Sequence, residues 1–97
     1  MLVLITYDVS FDDSGGPARL RKIAKICEDF GTRVQYSVFE CDLEPYQWVR
    51  LKALLLDTYD ETVDSLRFYM LGKNWRKKIE HHGAKAALDL FQSPLII

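Results

Sequence analysis

The stretch Arg33-Val34-Gln35-Tyr36-Ser37-Val38-Phe39-Glu40-Cys41-Asp42-Leu43 decides the fold. Val34, Tyr36 and Val38 fall on one side of an extended chain, with Gln35, Ser37 and Phe39 on the other, the period of a strand. The segment is either one long bent strand or two short strands that pair. One strand makes the chain β-α-β-α-β. Two make it β-α-β-β-α-β, the ferredoxin-like arrangement. Such a segment is tight for two strands and a turn, and the pattern alone leaves both readings open.

Working outward, Leu2 to Tyr7 is a nearly continuous β-favouring run, expected to form a central strand buried on both faces. Phe11 to Gly16 has loop chemistry, and Pro17 suits the first turn of a helix. Leu20, Ile23, Ala24, Cys27 and Phe30 recur at helical spacing, which places a helix over about 17–30 with Gly31 as a left-handed stop. Asp42 or Glu44, then Pro45, open a second helix whose buried stripe is Trp48, Leu51 and Leu55. A polar, acidic turn follows over Thr58 to Asp64. Ser65 to Leu71 reads as a strand, with Leu66, Phe68 and Met70 alternating against Arg67 and Tyr69. Beyond Gly72, Lys77 to His81 reads as a short strand, Ala84 to Phe91 as a loop or short helix, and Pro94 to Ile97 as a terminal strand. The bare apolar end Leu95-Ile96-Ile97 is an edge on its own sheet or an addition to that of a second copy.

At 97 residues, 48% hydrophobic and 28% charged, the chain is expected to be one soluble α+β domain over 1–97. Its longest apolar runs fall well short of the ~20 residues a membrane-crossing helix needs. No basic segment with a cleavage site opens it, so the expected compartment is cytoplasmic, with no membrane partner. Cys27 and Cys41 match no zinc or redox spacing and read as two buried thiols. His81 and His82, adjacent on a strand, point to opposite faces and cannot readily chelate one ion.

Net charge is −1, so no global field draws the chain to a polyanion. The charges are segregated, however. Arg19, Arg21, Lys22, Lys25 and Arg33 form one basic group, and Lys73, Arg76, Lys77 and Lys78 another around Trp75. Both are candidate nucleic-acid-binding groups that would contact phosphate without reading sequence. Asp8 places a carboxylate at the carboxyl end of the first strand, before a Gly-containing loop, where functional groups are common in α/β layers. Its bland role would be to cap the following turn. A single carboxylate with waters and substrate phosphates suits Mg2+, and a two-fold dimer would supply a second one. Ser10 could orient a phosphate or a water, or simply serve the turn.

Taken together, these residues resemble the CRISPR-associated Cas-two (Cas2) family, the small subunit of the spacer-adaptation module. The segment Gly31-Thr32-Arg33-Val34-Gln35-Tyr36-Ser37-Val38-Phe39-Glu40 looks like the family's Arg-Val-Gln-x-Ser-Val-Phe-Glu segment. Tyr7-Asp8-Val9-Ser10 looks like its strand-end acid followed by a small hydroxyl residue, and Arg19-Leu20-Arg21 also matches. The resemblance implies a ferredoxin-like fold with an extra C-terminal strand, and a homodimer in which paired Asp8 side chains hold Mg2+. It further implies metal-dependent cleavage of RNA or DNA, or a scaffold that binds duplex DNA and bridges integrase subunits. Asp8 is then the metal ligand and, with Tyr7 and Ser10, the catalytic set; Arg19, Arg21, Arg33 and Phe39 are accessory positions. This chain departs from the pattern in carrying Asp12 and Asp13 with two glycines in the loop, acid that could repel a phosphate or add outer-shell metal contacts. The competing reading is a ferredoxin-like regulatory or small-molecule-binding domain without nuclease activity.

Overall fold

The computed structural model describes residues 1–72 and 79–84. The elements run β1 (Leu2–Asp8), α1 (Gly16–Phe30), β2 (Thr32–Gln35), β3 (Val38–Asp42), α2 (Pro45–Thr58), β4 (Ser65–Leu71) and β5 (Ile79–Gly83). They form an antiparallel five-stranded sheet of order β2-β3-β1-β4-β5. The deciding stretch is therefore two strands, and the order is ferredoxin-like with a fifth strand outside β4. The strand read at Lys77 to His81 instead runs to Gly83, while Lys77 and Lys78 lie outside the described residues. So do Lys73, Arg76 and the segment 85–97, with its expected terminal strand.

A turn forms at Tyr36-Ser37 because β1 holds it there. The Tyr7 N–H donates to the Ser37 carbonyl at 3.1 Å, and the Tyr7 hydroxyl donates to the Tyr36 carbonyl at 3.3 Å. A register irregularity between Arg33 and Gln35 breaks the simple alternation and lets two short strands fit. Tyr36, at the turn, is 93% exposed, whereas Phe39 is fully buried.

The core lies between the helices and one face of the sheet. Val3, Ile5 and Tyr7 of β1 meet Ile23 and Cys27 of α1 and Trp48, Leu51 and Leu55 of α2. Phe39 and Cys41 of β3 and Leu66 and Phe68 of β4 complete it, with Trp48 edge-on to Phe68 at 5.0 Å. Burying each large apolar side chain contributes about 1.5–3 kcal/mol. The expectation that β1 is buried on both faces is not met: Leu4 and Thr6 are half-buried and Leu2 is exposed. Both helices contribute their stripes to the Val3–Ile5–Tyr7 face, so among the described residues no helix covers the opposite face. That face is not bare, since Tyr69 is fully buried there beneath the Arg67 guanidinium, 5.0 Å from its ring centroid.

Gly31 also departs from expectation. Its backbone is extended (φ −161°, ψ −164°) rather than left-handed. Glycine is needed here for closeness: a Cβ would run into the Cys41 sulfur and the Glu40 carbonyl oxygen. Gly31→Ala is expected to destabilise the domain by about 1–3 kcal/mol through overpacking. A denaturant melt with an unchanged midpoint would contradict this. The neighbouring thiols are buried as anticipated, and burial pushes Cys27 up to about 12 and Cys41 to about 11.

In α2, Pro45 occupies the first turn, and the Glu44 N–H donates to Gln47 Oε1 at 2.8 Å. This satisfies a donor at the helix start and fixes where the chain leaves β3.

Candidate functional site at the end of the first strand

Asp8 is the last residue of β1, is exposed, and lies opposite Ser65 at the start of β4. Residues alternate along a strand, so Tyr7 points to the other face. Tyr7 is only 6% exposed, stacked on Phe39 with centroids 6.2 Å apart. Burial pushes its phenol up, with Arg33 partly offsetting the effect. The structure therefore separates the Tyr7 ring from the face that carries Asp8 and makes it a buttress of the β2–β3 turn.

Ser10 is buried, and its Oγ accepts the Asp12 N–H at 3.2 Å, the geometry of a turn residue. Its N–H donates to Asp64 Oδ1 at 2.9 Å, and its carbonyl accepts Arg19 Nη2 at 3.4 Å. Gly16 allows α1 to start against that carbonyl, since a Cβ there would collide with it.

Asp64 is the residue that sequence reasoning missed. The sequence puts it in a polar, acidic turn, yet its side chain is fully buried. Besides Ser10, it accepts Arg19 Nε at 2.8 Å, Arg19 Nη2 at 3.3 Å and the Asp60 N–H at 2.9 Å. Burial alone would push the carboxyl up. The Arg19 guanidinium and the two backbone donors outweigh that and hold it below the usual Asp value. A short-range signal was present only in part: Asp60 begins a turn that returns four residues later, but the Arg19 and Ser10 partners are remote in sequence.

Arg19 also grips Asp13, with Nη1 3.0 Å from Oδ1 and Nη2 3.1 Å from Oδ2. Part of the loop's extra acid is thus matched by a cation, and Asp13 is held below its ordinary value, chiefly by that contact. Arg19 is consequently engaged by two carboxylates. Lys25 pairs with Asp29 at 2.7 Å, and Arg33 lies 3.7 Å from Glu28 and over the Phe39 ring. Among the described residues no ion pair takes Arg21 or Lys22, and both are exposed on α1.

Among the described residues there is no group of three or more His, Cys, Asp or Glu that could hold a metal ion. Asp64 directs both oxygens at N–H donors, so it does not complete such a set. An exposed Asp8 fits a hard cation as one carboxylate among waters and phosphates.

The strand order and the acid at the end of β1, beside a helix with a basic face, define a ferredoxin-like α+β protein with an exposed strand-end carboxylate. The chain belongs to the family described as CRISPR associated protein Cas2, whose model matches residues 1–79. It is 62% identical over 97 residues to "CRISPR-associated endoribonuclease Cas2" of Nitratidesulfovibrio vulgaris, covering 100% of this chain and 94% of the relative. It is 54% identical over 96 residues to "CRISPR-associated endonuclease Cas2" of Halalkalibacterium halodurans, covering 99% of each. The crystal structure of Streptococcus pyogenes Cas2 at pH 6.5 superposes with a TM-score of 0.69 at 51% identity, covering 82% of this chain and 96% of that one. Among the described residues, no helix is long and apolar enough to cross a membrane.

Proposed function

We propose that this chain is a homodimeric CRISPR spacer-acquisition protein that binds duplex DNA, bridges integrase subunits and hydrolyses phosphodiesters of RNA or DNA with Mg2+. Family membership along the chain supports the CRISPR role, and relatives named endoribonuclease and endonuclease support the hydrolysis. The observation that carries the site is the exposed Asp8 carboxylate at the end of β1.

In this reading two Asp8 side chains, one from each protomer, hold the ion. Bound there, Mg2+ supplies Lewis-acid polarisation of the phosphate and a more acidic water. Asp8 provides ligand charge, Tyr7 supports the strand end from the core, and Ser10 holds the loop that leaves it. Arg21 and Lys22 make the phosphate contacts of α1, with Lys25 and Arg33 sharing that role from within their ion pairs. Arg19 keeps the loop in place beside them. Lys73, Arg76, Lys77 and Lys78 are proposed as the second phosphate-binding group.

Native mass measurement tests the dimer, and Mg2+ against EDTA on single-stranded RNA and duplex DNA tests the hydrolysis. A monomer that cleaves and binds neither would favour the regulatory-domain reading instead. Duplex affinity is expected to fall with salt, and Arg21→Ala/Lys22→Ala to flatten the log–log slope by about two, one per lost phosphate contact. An unchanged slope would place the DNA on another face.

A further inference from the structure

Asp64 ties together the two pieces of backbone that flank Asp8. Asp8 pairs with Ser65, the residue that follows Asp64, and Ser10 donates its N–H to Asp64 Oδ1 at 2.9 Å. Arg19 closes the arrangement, donating from Nε to Asp64 Oδ2 at 2.8 Å and from Nη2 to the Ser10 carbonyl at 3.4 Å. Both backbone polar groups of Ser10 are therefore held by this one ion pair. The exit of β1, the entry of β4 and the first turn of α1 converge on it.

The Asp64 side chain is fully buried, and among the described residues its oxygens accept from N–H donors of Ser10, Arg19 and Asp60. So buried, it is out of reach of a substrate at the surface. A buried ion pair often adds little to stability compared with an apolar replacement, so stability alone is a poor reason for a carboxylate here. What an apolar residue could not do is accept the Ser10 and Asp60 N–H groups while orienting a guanidinium onto the Ser10 carbonyl.

We infer that Asp64 is a positioning residue for Asp8, fixing the direction in which β1 ends and so the place of the Asp8 carboxylate against the scissile phosphate. This rests on the metal-dependent cleavage proposed above. Loss of Asp64 would leave nucleic-acid binding on the α1 surface intact and misplace the ligand. A displacement of about 1 Å at a reacting centre can cost on the order of 100-fold in rate.

The test uses the intact dimer with Asp64→Asn. In protein that melts cooperatively, kcat for Mg2+-dependent cleavage is expected to fall by about 100-fold, with KM for the nucleic acid unchanged. Calorimetric Mg2+ affinity, measured without nucleic acid, is expected to weaken by about tenfold, as when the support of a metal ligand is removed. A folded Asp64→Asn dimer with wild-type kcat and Mg2+ affinity overturns the inference. Should that variant not fold, Arg19→Lys keeps a cation facing Asp64 but loses the fork onto Ser10. It is expected to show the same split between kcat and KM, and wild-type values for it would also overturn the inference. Asp8→Asn separates the two levels. If it cleaves like wild type, the site reading itself has failed; if it is inactive while Asp64→Asn is normal, only the positioning role has failed.

Discussion

Asp8→Asn is expected to reduce Mg2+-dependent cleavage by more than about 100-fold, since losing even an outer-shell partner of a metal ligand costs 10- to 100-fold. The substitution is nearly isosteric and removes the anionic charge that draws a hard cation to the end of β1. Asp8 is exposed at the strand terminus, outside the core formed by Val3, Ile5 and Tyr7. Thermal stability should therefore change much less than it would on truncating a core residue. Duplex binding should persist, because the exposed cations Arg21 and Lys22 lie on α1. Parallel cleavage, melting and binding assays check all three. Cleavage at the wild-type rate in the variant would remove Asp8 from the chemistry.

Arg19→Ala is expected to have the largest effect on stability, lowering the unfolding free energy by about 3–5 kcal/mol at neutral pH. The Asp64 side chain is fully buried and that of Arg19 is 17% exposed, so truncation leaves a carboxylate buried without its counter-ion. The sign of the pH dependence follows from the direction of the Asp64 shift. Its carboxyl is held below the ordinary value in the folded protein, so the interaction stabilises the fold above the unfolded value of about 3.9. That contribution is lost as the pH falls through the lower, folded value. In the variant, burial persists without the guanidinium and favours the protonated acid. The stability gap between wild type and Arg19→Ala should therefore be widest near neutrality and narrow below about pH 4. Urea melts at pH 7 and pH 3 read it directly; a gap that widened in acid would show that Arg19 acts through something other than Asp64.

Much of the framework was legible because it depends on short-range patterns. Leu2 to Tyr7, the Ile23–Cys27 stripe and the Trp48–Leu51–Leu55 stripe carry their periods in consecutive residues, and Pro17 and Pro45 mark helix starts. Ser65 to Leu71 was legible in the same way. The turn at Tyr36-Ser37 was not, since it lacks the Gly, Asn or Asp that usually announces a hairpin. It is imposed by Tyr7, which is remote in sequence and holds both turn carbonyls. Gly31 does end α1, as its position in the sequence suggests, but for a different reason. Its role comes from how closely the backbone passes Glu40 and Cys41, which no local pattern encodes.

The site divides along the same line. Position alone singled out Asp8, because an apolar strand ending in an acid before a glycine-containing loop is a local statement. Asp64 sits in Asp60-Glu61-Thr62-Val63-Asp64, which reads as solvated charge, and nothing nearby shows that it is buried. Its burial is tolerated only because Arg19 and Ser10, 45 and 54 positions away, are brought to it by the sheet. By itself the sequence determined the α+β class, the order of its principal elements and the carboxylate at the end of β1. The tertiary structure alone decided that Arg33 to Leu43 folds into two strands and that the helices cover one face. It also decided that Arg19 and Asp64 hold the Asp8 loop. Periodicity records what a residue's neighbours along the chain require, whereas a buried charge or a turn without a turn residue is stabilised by partners that only folding brings near.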